Sequence, residues 1–413
     1  MATIRPFHAL RYSESAGPLA DLVAPPYDVI DERERERLAA VSPSNAIHLI
    51  LPRGEKPYEA AAALLEAWRR DGRLVRDAEP GMLLYAQRFS HGATSAERWG
   101  LLASLRLEPL DGGVVLPHER TLAAPKADRL NLVRACRTNL SPIFGLVDAP
   151  LDLSGLAATA RPVAEFTDRH GVAHRLWRIV DPATLASLRE RMERERVFIA
   201  DGPPRYETAL AYRDERRSAD GSAPGTKDYD YILFYLCSTR DPVLVVLPTH
   251  RLLDRAPDAG ELEARLGRDL ASRRLPDAAS LAAELASGPS APDRPRVGLV
   301  RRGSNDALLF EAGPGTAASR ALEALDGPLR ALDVSLLHQV VLPGIPADRF
   351  VYTHDDAEAL RAISSGTYEL AALVPPPRVT DVLAISRAGL TLPQKSTYFH
   401  PKVLTGLAFH ELG

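Results

Sequence analysis

Short apolar runs alternate with longer amphipathic stretches along almost the whole chain. Runs with apolar or two-residue character predict strands, and a 3.6-residue apolar stripe predicts helices. Strands are expected at 4–10, 46–51, 82–89, 99–107, 143–147, 174–179, 197–200, 231–237, 243–247, 297–301, 307–311, 350–353 and 369–374. Helices are expected at 31–40, 58–71, 182–195, 205–217, 317–325 and 334–342, with two more inside 255–286 and one capped near Asp355. Strands 82–89 and 99–107 read as a hairpin joined by the polar stretch 90–98. This order demands mixed sheets covered by helices, an α/β to α+β fold. No internal repeat is found. Composition divides the chain into 1–150, 151–286 and 297–413, with the Pro- and Gly-containing stretch 287–296 as a linker.

Composition narrows the function classes. Of 413 residues, 45% are hydrophobic and 25% charged, enough to bury a core and to exclude wholesale disorder. Net charge is −3, from 51 basic and 54 acidic side chains, which argues against a protein that coats nucleic acid. Only two cysteines occur, Cys136 and Cys237, far apart, so neither a disulfide framework nor a cysteine zinc site is expected. No apolar run approaches the roughly 18 residues of a membrane span. The opening MATIRPFHALRY lacks the pattern of a secretion signal, so a cytoplasmic location without membrane partners is expected. Only five basic side chains are lysine (Lys56, Lys126, Lys227, Lys395 and Lys402), which can mark places that want a compact ammonium.

Three segments could carry chemistry. In VFIADGPPRYETALAY an apolar strand enters a tight Asp201-Gly202 turn and then a helix. A helix start after a strand can receive an anion at Gly202, and Arg205 adds a charged fork. Pro203 and Pro204 suit the first turn but delete backbone donors. Asp201 is either a cap or a base. The second segment, 117–139, pairs His118 with Glu119, as a general base or metal ligand requires. Its Lys126 and Arg129 could hold an anionic substrate; a polar loop is the plain alternative. Residue 122 is Leu, so a zincin motif is absent. The third, TLPQKSTYFHPK, gathers Lys395, Ser396, Thr397, Tyr398, His400 and Lys402. Among weaker candidates, the stiff turn 24–28 could wall a pocket. His338 reads as a helical histidine with its hydrogen bonds satisfied. Gly313-Pro314-Gly315 lacks the rest of a dinucleotide fingerprint, and no P-loop, nucleophile-elbow or kinase signature occurs.

Taken together, VAPPYDVI, HERTLAAPKADRLNLVRACRTNLSPIFGL, ADGPPRYETALAY and LPQKSTYFHPKVLTGL resemble the domain of unknown function ten-fifteen family, often labelled ParB-like. The family's central motif reads A-D-G-H-H-R-Y-E-T; here Pro203 and Pro204 replace both histidines. Its final motif begins M-P-Q-K-S-T-Y-F; here Leu392 replaces the methionine. The D-G-H-H-R pattern is similar to the phosphate turn of the ParB and sulfiredoxin superfamily, which includes DNA-partitioning proteins, a sulfinic acid reductase and free-serine kinases.

The resemblance implies a ParB/sulfiredoxin-like core element and a small-molecule or nucleotide site around residues 201–205. The expected activity is a phosphotransferase or nucleotide hydrolase using ATP or another nucleotide with Mg²⁺. Glu119, Asp201 and His118 are then the catalytic candidates. Gly202, Arg205, Lys126, Arg129, Asn139, Lys395, Ser396 and Thr397 would bind phosphate or substrate, with Glu119, Arg205 and Lys395 converging on one pocket. Proline can neither shuttle protons nor contact phosphate as imidazole does. A binding protein that has lost catalysis, with a regulatory role, is therefore the alternative. A DNA-partitioning factor is less favoured by the charge balance.

Overall fold

The computed structural model describes every residue except 93, 120, 122, 159–160, 242, 258 and 304–306. The fold is mixed α/β. It divides differently from the three consecutive stretches drawn from composition. Unit 1 comprises Met1–Pro117, Thr121–Leu244 and Pro401–Gly413; unit 2 comprises His118–Arg120 and Val245–His400.

Unit 1 is built on a nine-stranded mixed sheet. Its order is Val115–Leu116, Val197–Asp201, Ile143–Val147, Tyr231–Ser238, Thr94–Arg106, Met82–His91, Ala173–Ile179 and Ala164–Thr167, with Ile4–Arg5 also paired to Thr94–Arg106. Tyr231–Ser238 is central and buried from Tyr231 through Cys237, which its unbroken apolar run YILFYLC requires. The hairpin is longer than its sequence suggests. Residues expected in the connection pair instead, Ser90 with Ser95. The helix Pro57–Arg70 starts on its proline and buries Ala61, Leu65 and Trp68 at helical spacing.

Two expected strands of unit 1 are corrected. Stretch 4–10 splits into Ile4–Arg5 and Leu10–Tyr12, which join different sheets, because Pro6 cannot donate to a ladder. Stretch 46–51 is the short helix Ile47–Ile50. Buried Asn45 accepts from the Ile47 amide at 2.8 Å and donates to two upstream carbonyls, so a side chain overrides an apolar run that otherwise reads as β.

Unit 2 carries a six-stranded antiparallel sheet, ordered Ala271–Leu275, Ala307–Glu311, Arg296–Arg301, Leu370–Leu373, His250–Leu253 and Val351–Thr353. Alternate residues feed opposite faces. Leu299 and Ala372 pack with Leu262 and Leu266, whereas Val300 and Ala371 pack with Leu281 and Ile363. Helices therefore cover both faces.

The strand Ala271–Leu275 lies where two helices alone were expected; its exposed Arg-bearing sequence suits a sheet edge. The stretch 287–296 is no open linker, since Ser290 is buried. The expected helix 334–342 changes from α at Asp333–Leu336 to π at Leu337–Val341. There His338 keeps a buried Nε2 with no hydrogen-bond partner, against the expectation of a satisfied ring. Burial, aided by the Arg251 charge, lowers its pKa to about 4. Among the described residues, no helix is long and apolar enough to cross a membrane.

Candidate functional site

The central turn of unit 1 is shaped by a bulge. Strand Val197–Asp201 pairs with Ile143–Val147, and the register slips between Ile199 and Asp201, leaving Ala200 as the extra residue. A bulge re-aims the side chains beside it. Gly202 follows at φ +89°, and a Cβ there would lie 2.5 Å from Nη2 of Arg205. Both the left-handed backbone and the close guanidinium demand glycine. Asp201 then accepts from Arg205 Nη2 at 2.7 Å and from Lys402 Nζ at 2.5 Å. All three side chains are about nine-tenths buried.

Pro203 and Pro204 open the 18-residue helix Pro203–Asp220. They have no N–H, and the next amide, Arg205, already donates to the Gly202 carbonyl at 3.0 Å. The expected backbone cradle for an anion is therefore closed at the helix start, and anion recognition falls to side chains.

Those side chains meet in a cleft of ≈ 480 Å³, open mouth included, lined by Arg205, Arg129, Asn139, Thr138, Ser141, Thr208 and Tyr27 with Ile50, Leu132, Val133, Leu140, Ala209 and Ile232. Arg205 has Nε and Nη1 buried with no hydrogen-bond partner. Arg129 is buried, donates from Nη1 to the Ile50 carbonyl at 2.6 Å and from Nε to Asp128 at 2.8 Å, and lies 4.3 Å over the Tyr27 ring. Asn139 accepts from the Leu233 amide at 3.2 Å. Ser141 and Thr405 share a 2.7 Å hydroxyl contact. Three expected binding residues thus line one cleft, and the stiff turn contributes Tyr27 to its wall.

Lys126 is elsewhere engaged. Its Nζ lies 2.6 Å from Glu207, whose other oxygen accepts from Thr121 at 2.7 Å. That pair fastens the helix Ala123–Cys136 to the helix Pro203–Asp220. Sequence reasoning did not single out Glu207 or Lys402 for a role at the central motif. The scarcity of lysine was the available signal: two of the five pair with carboxylates of ADGPPRYET.

His118 and Glu119 belong to unit 2, with Lys395, Ser396 and Thr397. Oε1 of Glu119 accepts from the amides of Ser396 (3.0 Å) and Thr397 (2.9 Å) and from the Thr397 hydroxyl (2.8 Å); Oε2 accepts from the Lys395 amide at 3.2 Å. His118 Nε2 lies 2.7 Å from the Thr397 hydroxyl. The chain turns through Lys395 at φ +56°. Burial pushes the Glu119 carboxyl up, but hydrogen bonds and charge from His118, the Thr397 hydroxyl and the Lys395 charge outweigh it and hold the pKa at about 2. An ionised carboxylate so fully supplied with donors clamps a loop and is a weak proton acceptor. The expected set therefore gathers in two places: Arg129, Asn139 and Arg205 in unit 1, Glu119 and residues 395–397 in unit 2.

Among the described residues, no group of three or more His, Cys, Asp or Glu could hold a metal ion. Both Asp201 oxygens already face cations.

Residues 4–335 match the family described as "Protein of unknown function (DUF1015)". The chain belongs to this family. No curated protein matches it. Three solved structures show distant likeness. A free serine kinase in complex with AMP has 12% identity and a TM-score of 0.34, covering 73% of this chain and 86% of that one. SbnI from Staphylococcus aureus, truncated at its C-terminus, has 11% identity and a TM-score of 0.33, covering 74% and 85%. A conserved hypothetical protein from Pyrococcus furiosus has 11% identity and a TM-score of 0.35, covering 74% and 92%. The functional reading rests on the site itself.

Proposed function

We propose that the unit 1 cleft binds a nucleotide or another phosphorylated metabolite, and that this chain acts by binding, in a regulatory role, rather than by turnover. One observation carries the reading: the buried Arg205 guanidinium keeps two donor nitrogens without partners beside the cleft. Buried donors left unmade are costly, and a phosphate oxygen would satisfy them. Arg129 adds a second guanidinium. The apolar wall and Tyr27 suit the uncharged body of such a ligand. Binding without turnover follows from Asp201, whose oxygens are both held by cations.

A second reading, a phosphotransferase drawing on ATP, is favoured by the same cations. Lys402 and Arg205 could neutralise a transferring phosphoryl group while Asp201 accepts the proton of the attacking hydroxyl. That requires Asp201 to exchange a partner first.

The test is a thermal-shift series with ATP, ADP, CTP, GTP and pyrophosphate, each with and without Mg²⁺, on wild type, Arg205→Lys and Arg205→Ala. A ligand that binds the native state raises the midpoint. A shift in wild type that is lost in both variants supports the cleft. No shift with any ligand overturns it. ATP turnover in wild type would favour the phosphotransferase. Turnover appearing only in Pro203→His/Pro204→His would mark catalysis lost at this turn.

A further inference from the structure

Unit 2 has a cavity of its own, and it shares no residue with the unit 1 cleft. Arg251 lines it. The residue is 1% exposed, and its Nε is buried with no hydrogen-bond partner. Nη1 donates to the Thr249 carbonyl, Nη2 reaches the Lys395 carbonyl at only 3.4 Å, and the Tyr352 ring lies 5.5 Å away. These are neutral partners for a charged fork that fits a carboxylate. Among the described residues no ion pair to Arg251 is found.

The same cavity is lined by two acids, Asp333 and Asp381. Asp333 accepts from the Arg296 amide at 2.7 Å. Burial lifts its pKa to about 6, and burial raises that of Asp381 too. Burial outweighs the charges of Arg296 on Asp333 and of Arg378 on Asp381, so neither carboxylate is fully compensated. Apart from Ser290 and Ser396, the rest of the wall is apolar, including Val334, Val382, Ile385 and Leu392.

We propose that this cavity binds a small zwitterion, an α-amino acid with a compact apolar side chain, its carboxylate on Arg251 and its ammonium toward Asp333 and Asp381. A lone anion would face two acids, and a lone cation would face the guanidinium. The zwitterion answers both, and the apolar wall takes its side chain. The inference is independent of the nucleotide reading, which concerns the other unit.

The experiment is a thermal-shift and calorimetric titration of the full chain with L-valine, L-leucine and L-proline. 3-Methylbutanoate, which lacks the ammonium, and isobutylamine, which lacks the carboxylate, are the controls. The expected result is a rise of about 2–4 °C at saturating amino acid, with no rise from either control. Arg251→Met should abolish it. Should that variant fail to fold, Val382→Trp fills the cavity while leaving the guanidinium, and it too should abolish the response. No shift with any of the three amino acids, an equal shift with a control, or a shift that survives Val382→Trp overturns the proposal.

Discussion

Lys402 sets its ammonium nitrogen 2.5 Å from Oδ1 of Asp201, 201 residues earlier in the chain, and both side chains are nearly buried. Removing one partner of such a pair strands the other charge. Lys402→Met should cost about 3–5 kcal/mol, read as a lower denaturation midpoint in urea. The double variant Lys402→Met/Asp201→Asn should recover part of that loss. A double variant no better than the single one would mean that the ammonium stabilises the fold through other contacts.

Glu119 makes stability depend on acid. Its carboxyl sits at about 2 in the fold against an ordinary 4.5. A depressed folded pKa contributes stability that is whole above the unfolded value and lost as pH falls through the folded one. The contribution is about 3 kcal/mol, present above pH 4.5 and fading toward pH 2. Urea midpoints of wild type and Glu119→Gln should differ most near pH 6 and converge only toward pH 2. A constant gap across that range would refute the clamp.

Gly202→Ala puts a methyl group into a left-handed backbone and against the Arg205 guanidinium. The backbone alone should cost about 1–2 kcal/mol, and Arg205 must move as well. We expect a lower guanidinium chloride midpoint together with loss of any pyrophosphate response. A variant with unchanged pyrophosphate affinity would separate Arg205 from the ligand.

Both thiols should be silent. Burial pushes Cys136 and Cys237 up to about 12, leaving a thiolate fraction of roughly 10⁻⁴ at pH 8. Ellman's reagent should titrate them only as the protein unfolds. Rapid reaction of either thiol in native buffer would contradict the buried placement.

Much of the fold is legible because burial leaves a period in the sequence. YILFYLC could only be a strand covered on both faces, and Asp31 and Asp355 each announce a helix start that their side chains do cap, accepting from Glu34 and Glu358. What stayed hidden depends on partners distant in sequence. Asn45 turns an apolar run helical through carbonyls about 22–24 residues away. In the cleft, Arg129, Asn139 and Arg205 were readable as donors of the right chemistry. That Tyr27 would wall them, or that Lys402 would occupy Asp201, follows from topology rather than spacing. Glu119 misled most: a carboxylate beside histidine reads as a base, but three successive amides turn it into a loop anchor.

The order in which the segments leave the ribosome has a kinetic consequence. Pro401–Gly413 belongs to unit 1 but is made after all of Val245–His400. During synthesis Asp201 therefore waits without Lys402, the strand Thr138–Asn139 waits for His410–Glu411, and the core around Trp68 lacks Phe409. The nascent first unit is an unfinished species whose Asp201 has only Arg205 to balance it, exposed to proteases and chaperones until Pro401–Gly413 arrives. Its vulnerability is set by elongation time rather than by the stability of the finished fold.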